Sequence, residues 1–361
     1  MDSIKVGIYT LNFENGKLIE LYQNGVKTGL CGSLWEISSH NVLIKNNTCD
    51  FSAKQDGDRA YLTWLCTDFS VKASAYCENG LLYLSADVSG DIPIDSFTFP
   101  LFEGISDFSK SEDSYLLVPY QSGFVVKDPI KSLINTPNPQ TFWAGRGDGT
   151  GWYENDYPAS LNFQFCLFGN NERAFYFAQY DTQSYFKTIG LYSYGKSAFD
   201  YKLINYPENA GATHSYAMPY PFVFTQTHNI TSGIALYRAF AKTMKSCEKG
   251  TLRKRGVNER LKEIDIVAIN HSDLEFGQNF SAFEESALLL RDMAEGKLML
   301  HWYGWNKQRH DVNYPEYIDR TIFESHSPVL FEQSKRFSDE GILKIPYVNA
   351  SLLDKRGFHC D

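Results

Sequence analysis

The sequence predicts a mainly β protein in which a large N-terminal β-sandwich precedes a short parallel β-α-β segment. Up to about residue 240, short runs rich in Val, Ile, Tyr, Phe and Thr alternate with turn clusters, for example at 14–16 and 78–80. After residue 281 the pattern changes to a helix followed by an apolar strand. Aromatic residues make up 15% of the chain, and both β-sheets and sugar-binding surfaces favour such residues.

Residues 1–250 are predicted to form the sandwich domain. The runs at 60–66, 69–77 and 80–89 recur at the spacing of about 8 to 12 residues that an all-β sandwich shows. Further along, the sequence GNNE at 169–172 joins two alternating runs and predicts a hairpin. More than 200 residues in this style favour a two-sheet sandwich of large size.

A helix and a linker are predicted after the last strand of the sandwich. Residues 230–244 carry apolar residues at helical spacing, with Thr231 or Ser232 as the predicted N-cap. A charged stretch follows, and we predict that 251–296 consists of a linker and helices.

The last segment, 297–361, has the pattern of alternating strands and helices. Residues 281–294 form the preceding helix, which begins with a Ser-x-x-Glu capping box. An apolar strand at 298–305, a helix at about 328–339 and a second strand at 342–350 then predict a parallel β-α-β unit.

The bulk composition excludes several classes of partner. The net charge is −9, with 34 basic and 43 acidic residues, so we expect no nucleic-acid partner. No apolar run approaches the roughly 20 residues that a membrane helix needs, and the N-terminus shows no leader pattern. We therefore expect no membrane partner and a cytoplasmic location.

The cysteines predict neither a disulfide framework nor a metal site. There are seven, with no CxxC pair and no regular spacing. We interpret them as reduced thiols, most of them buried, and expect neither a metal nor a cofactor.

The C-terminal part of the chain contains the short aromatic motifs HWYGW at 301–305 and IPYVNASLLD at 345–354, with Asp311 and Tyr314-Pro315 between them. These motifs resemble those of the DUF6259-type glycoside-hydrolase-like proteins. Upstream segments agree in order: AFYFAQYDTQSYFK at 174–187, PYPFVF at 219–224 and IALYRAFA at 234–241. The resemblance implies an N-terminal β-supersandwich followed by a TIM barrel.

The resemblance also implies that the catalytic residues are missing from this chain. A closed barrel takes about 250 residues, whereas about 65 follow Lys297. We therefore expect an incomplete (β/α)8 barrel, truncated after its second strand, with unknown catalytic carboxylates on later strands. Either the sequence is a fragment, or a second chain completes the barrel.

Six residues are candidates for substrate binding. The side chains of Trp302, Trp305 and Tyr314 could stack on a sugar ring, and Asn349 at the tip of the second strand could hydrogen-bond a hydroxyl. Adjacent strand residues face opposite ways, so Trp302 or Trp305 could equally lie in the barrel core.

Two aspartates complete the set of candidates. Asp311 follows the first barrel strand, on the face where barrel chemistry occurs. Asp181 lies in a loop that the resemblance places near the barrel or its substrate cleft, and its alternative role is to cap a turn. A catalytic pair of Asp311 with Asp354 is the weaker interpretation of these carboxylates.

Three functional hypotheses follow. The first is a fragment of a glycoside hydrolase, which acts on an oligo- or polysaccharide with carboxylate chemistry that this chain does not contain. The second is a non-catalytic carbohydrate-binding β-sandwich. The third is a structural sandwich whose aromatic residues are core.

Overall fold

The computed structural model describes residues 2–46, 49–106, 108, 112–120, 123–129, 152–192, 198–251, 254–271, 280–295, 297–303 and 331–348. The chain divides into two compact units, Met1–Glu248 and Lys249–Asp361. Each unit has its own hydrophobic clusters.

The first unit contains twenty strands, counted over the described residues. They are β1 (Asp2–Val6), β2 (Tyr9–Glu14), β3 (Lys17–Gln23), β4 (Val26–Lys27), β5 (Leu34–Ser39), β6 (Val42–Lys45), β7 (Asp50–Asp56), β8 (Arg59–Leu65), β9 (Phe69–Glu78), β10 (Leu81–Gly90), β11 (Ser96–Ile105), β12 (Tyr115–Val118), β13 (Phe124–Lys127), β14 (Trp152–Tyr157), β15 (Phe165–Gly169), β16 (Ala174–Gln179), β17 (Lys187–Tyr192), β18 (Phe199–Asn205), β19 (Ser215–Ala217) and β20 (Phe222–Thr227).

These strands form three antiparallel sheets. The largest has the order β13-β12-β15-β16-β20-β10-β9-β8-β7, with β19 paired to β10. The second has the order β14-β17-β18-β11-β5-β6, and the third is the meander β1-β2-β3-β4. The predicted mainly β fold is confirmed, and the predicted hairpin at 169–172 joins β15 to β16.

Aromatic side chains fill the space between the two large sheets. Phe102 on β11 lies 6.0 Å from Phe177 on β16 and 5.9 Å from Phe222 on β20, between ring centroids. Tyr201 on β18 stacks on Phe177 at 4.7 Å. Such pairs join the facing sheets of a sandwich, so many of the aromatic residues are core.

One helix, α1 (Ile230–Ala241), covers the outer face of the largest sheet. Tyr237 and Phe240 point into this contact and are buried. A Cβ on Gly233 would lie 2.3 Å from the Leu167 side chain, so the helix approaches β15 more closely than a larger residue would allow. The N-cap is Asn229, whose side chain accepts from the Ser232 N–H, and the prediction of Thr231 or Ser232 was wrong by two to three residues.

One cysteine pair contradicts the prediction that all the thiols are reduced. Cys49 and Cys66 form a disulfide. They flank the β7-β8 hairpin, in which Asp50 pairs with Leu65, so the strand register brings the two sulfurs together. Disulfides persist in oxidising compartments, so this pair does not favour the predicted cytoplasmic location.

The second unit is built on parallel strands. Its elements are α2 (Glu259–Lys262), β21 (Ile266–His271), α3 (Phe280–Met293), β22 (Leu298–Tyr303), α4 (331–339) and β23 (Leu343–Pro346). The sheet order is β21-β22-β23, with both pairs parallel. The predicted β-α-β unit is therefore present as β22-α4-β23.

A further strand precedes the pair that the sequence predicted. Within 251–296, which we expected to hold only a linker and helices, β21 pairs in parallel with β22 through Ile266 and Leu298. The segment at 264–269 contains four Ile or Val residues, which favour a strand. The charged residues before this segment made the short strand pattern hard to recognise in the sequence. The described sheet therefore has three strands rather than two.

Candidate functional site

Trp302 lies on the covered face of its strand. Leu298, Leu300 and Trp302 alternate along β22 and are 0%, 1% and 6% exposed. The Trp302 ring meets Phe337 of α4 edge to face, with 6.2 Å between centroids. Trp302 is thus packed between strand and helix, and its contact with a sugar stays a prediction.

The opposite face of this sheet is apolar and uncovered among the described residues. Strand pairing places Ile269, His301 and Ile345 in one row across the three strands. Ile269 is 62% exposed and Ile345 38%, and Val267 in the preceding row is 54% exposed. The His301 ring lies 5.7 Å from that of Tyr347.

The other candidates from segment 297–361 lie in parts of the chain that the structure does not describe. Trp305, Asp311, Tyr314 and Asn349 lie outside the described residues, as does Asp354. Their roles stay predictions.

Asp181 lies in the sandwich unit and is 1% exposed. It follows β16, the strand that ends at Gln179. Its Oδ1 accepts hydrogen bonds from the N–H groups of Gln183 and Ser184, at 2.8 and 3.0 Å. Its Oδ2 accepts from the Tyr185 N–H at 2.6 Å. The carboxylate therefore caps the turn that leads to β17, and it is enclosed by its own loop.

The fourth partner of Asp181 is a buried cation. Lys187, at the start of β17, is 0% exposed and donates from Nζ to Asp181 Oδ2 at 2.6 Å. The same ammonium donates to Gln164 Oε1 at 2.7 Å. It also lies over the rings of Tyr220 and Tyr157, 4.2 and 4.8 Å from their centroids. Charge, hydrogen bonds and ring faces together offset part of the cost of its desolvation.

Burial dominates the ionisation of this cluster. It lowers the pKa of Lys187 to about 8, although the nearby Asp181 acts in the opposite direction. Burial also raises the pKa of Tyr157 and Tyr220, so both phenols stay neutral at physiological pH.

Lys187 should make the stability of the sandwich depend on pH in the alkaline range. Its pKa is lowered from 10.5 to about 8 on folding, so between these values the unfolded chain binds more protons than the folded protein. The free energy of unfolding should therefore rise with pH across this window, by at most about 1.4 kcal/mol per pH unit. Urea denaturation of the wild type and Lys187→Met between these pH values measures the difference, and a flat or falling difference would contradict the expectation.

Exposed aromatic side chains occupy the loop that Asp181 caps. Tyr185 is 44% exposed and Phe186 49%, while the flanking Asp181 and Lys187 are buried. We did not predict these two residues as candidates. The signal was present, because an uncharged aromatic pair directly before a strand lies within the segment that resembles the family.

Neither a metal site nor a membrane helix is found among the described residues. No three His, Cys, Asp or Glu side chains in that part of the chain form a group that could hold a metal ion. No helix there is long and apolar enough to cross a membrane.

Comparisons with known proteins find a likeness in structure alone. No family model matches the chain, and no curated protein matches it. The fold is similar to that of the α-N-acetylgalactosaminidase NagBb from Bifidobacterium bifidum in complex with GalNAc, with a TM-score of 0.64 and 12% identity over 99% of this chain and 61% of NagBb. The ligand-free NagBb gives a TM-score of 0.61 at 13% identity, over 99% of this chain and 62% of that one.

A weaker likeness is found to an α-galactosidase from Lactobacillus brevis, with a TM-score of 0.44 and 9% identity over 99% of this chain and 56% of that one. That score is too low to support an argument. The DUF6259 resemblance stays a prediction, since no family model matches. At these identities the likeness shows the fold alone, and the chain spans about 61% of the length of the NagBb chain whose fold it shares.

Proposed function

We propose that this chain is carbohydrate-active and forms the sandwich and the first three barrel strands of a glycoside hydrolase. Its acid and base carboxylates would lie on further strands, which are supplied by a longer form of the protein or by a second chain. The substrate would be an oligo- or polysaccharide. NagBb, which shares the fold at 12% identity, is an α-N-acetylgalactosaminidase.

The observation that carries the proposal is the asymmetry of the parallel sheet. Ala287 of α3 and Phe337 of α4 belong to one buried cluster with Leu298 and Leu300, so both helices cover the same face. A doubly wound sheet has helices on both faces, whereas a barrel has them on the outside only. The opposite face, with Val267 and Ile269, is apolar and exposed. Parallel sheets bury both faces, and barrel closure would bury this one.

The same proposal assigns the catalytic residues to the carboxyl ends of further strands. Barrel enzymes carry their chemistry at the carboxyl ends of several strands. Glycoside hydrolysis needs two carboxyl groups about 5 to 10 Å apart. Tyr303 and Pro346 end the second and third strands, and neither is acidic. We therefore assign the proposed acid and base to the further strands of the barrel or to the loops at the carboxyl ends of its strands.

Turnover of nitrophenyl glycosides tests the proposal. The panel contains α- and β-linked hexosides and N-acetylhexosaminides, and it is offered to the chain alone and to the chain made together with the polypeptide encoded directly downstream. We expect hydrolysis of at least one glycoside by the completed protein and none by the chain alone. Absence of turnover by the completed, folded protein across the panel would reject the hydrolase.

A non-catalytic carbohydrate-binding β-sandwich is the second candidate. The exposed pair Tyr185 and Phe186 favours it, because both lie on the sandwich unit. Binding of a glycan without turnover by the completed protein would select this function over the first.

A further inference from the structure

The loop Thr182–Phe186 is held in one conformation by the Asp181 carboxylate. Three successive backbone N–H groups, those of Gln183, Ser184 and Tyr185, donate to it at 2.8, 3.0 and 2.6 Å. Ser184 has a φ of 63°, in the left-handed region that costs a non-glycine residue about 1 kcal/mol or more. The surrounding hydrogen bonds maintain this conformation.

Contacts outside the loop fix its position on the sandwich. Gln164 donates from Nε2 to the Asp181 carbonyl at 2.8 Å, and its own N–H donates to the Tyr237 hydroxyl of α1 at 2.9 Å. The hydroxyl groups of Tyr157 and Ser184 lie 3.0 Å apart. The loop is thus tied to β14, to the segment before β15 and, through Gln164, to helix α1.

Two large aromatic side chains project from this rigid loop. Tyr185 and Phe186 are about half exposed, and each packs beside a ring of the sandwich. The Tyr185 centroid lies 6.4 Å from that of Tyr220, and the Phe186 centroid lies 5.4 Å from that of Tyr206. Leaving aromatic surface in water forgoes about 25 cal/mol for each Å² not buried. A ligand that stacks on these rings would bury part of this surface.

The chemistry of the loop favours a neutral ligand with many hydroxyl groups. Residues 182–186 are Thr, Gln, Ser, Tyr and Phe, so aromatic faces stand beside hydroxyl and amide groups without any charge. A sugar ring offers C–H groups on one face and hydroxyl groups at its edge, which match these two kinds of group. Since the backbone is already ordered, little conformational entropy would be lost on binding.

We infer that the loop Thr182–Phe186 is a carbohydrate-binding platform, in which Tyr185 and Phe186 stack on a neutral glycan and Asp181 and Lys187 position them from beneath. The inference rests on the proposed carbohydrate function, and it assigns that function a binding surface on the sandwich unit itself. Asp181 is a positioning residue here, since its own oxygens are occupied by the loop and by Lys187.

Affinity electrophoresis of the full chain tests the platform. The gels contain neutral polysaccharides of galactose, mannose, glucose or xylose units, and a titration with N-acetylgalactosamine is followed by NMR. Tyr185→Ala and Phe186→Ala are compared with Tyr61→Ala, because Tyr61 on β8 is also 44% exposed and lies far from the loop in sequence. We expect the two loop variants to bind about tenfold more weakly and the control to bind like the wild type.

Other outcomes overturn the inference. Equal glycan binding by wild type and both loop variants would place the binding surface elsewhere. If the wild type binds none of the polysaccharides and does not bind the monosaccharide, the inference of a carbohydrate-binding platform is rejected. Neither result tests the proposed hydrolase activity, because turnover by the completed protein is measured separately. Circular dichroism of each variant verifies that folding is unchanged.

Discussion

Replacing Asp181 with Asn is expected to lower the free energy of unfolding of the sandwich unit by about 3 to 5 kcal/mol, the usual cost of breaking a buried ion pair by removing one partner. The substitution leaves the Lys187 ammonium buried without its counter-charge, while Gln164 still accepts a hydrogen bond from it. In the wild type, four donors share the two carboxylate oxygens of Asp181. Asn keeps one of these acceptor oxygens and replaces the other with an N–H₂ donor. Two of the four donors would therefore lose their acceptor.

Urea denaturation of the full chain, followed by near-UV circular dichroism, measures this loss. Glu20→Gln is the matched control, since Glu20 pairs with Lys27 at 2.9 Å on the surface, where ion pairs contribute little. The double variant Asp181→Asn/Lys187→Met should lose less than the sum of the two single variants, because no uncompensated charge remains. A loss below about 1 kcal/mol for Asp181→Asn would show that the buried pair does not stabilise the fold.

Replacing Trp302 with Ala is expected to destabilise the second unit by about 3 to 5 kcal/mol, as truncation of a buried aromatic residue does in other cores. The ring is 6% exposed and packs on Phe337, so its removal would leave a cavity between β22 and α4. Trp302→Phe keeps most of this contact and should cost less.

The neighbouring residue supplies the control. His301→Ala removes a ring from the opposite face of the same strand, where the side chain is only partly buried. Hydrogen exchange of β22 and α4 reports the stability of this unit separately from that of the sandwich. A Trp302→Ala variant as stable as His301→Ala, with lower affinity for glycans, would contradict the packing role and support the predicted role of Trp302 in sugar binding.

The pattern of the sequence predicts local elements of the sandwich but not its pairing. The hairpin β15-β16 is visible because turn residues separate two alternating runs. The pairing of β10 with β20 joins Leu82 to Phe224 across most of the unit, and no local signal specifies such a partner. The disulfide was missed for a related reason. Its two cysteines become neighbours only when β7 pairs with β8.

The candidate site shows the same division. The turn-capping alternative for Asp181 could be written from sequence, because Asp often bonds to backbone N–H groups a few residues ahead. The ion pair of Asp181 with Lys187 could not be predicted, since the pair forms only when the loop between β16 and β17 passes from the largest sheet to the second sheet. For Trp302, alternation along a strand leaves two faces equivalent until the covering helix is known.

The proposed function depends on the claim that β21, β22 and β23 belong to a barrel that further strands complete. Hydrogen exchange of the full chain, alone and with the polypeptide encoded directly downstream, tests this claim most directly. We expect the amides of Ile266–His271 and Leu298–Tyr303 to exchange faster than those of β16 and β20 in the chain alone, since the sheet has open edges and an uncovered apolar face among its described residues. The second polypeptide should slow their exchange. Protection equal to that of the sandwich in the chain alone, unchanged by the second polypeptide, would contradict the claim.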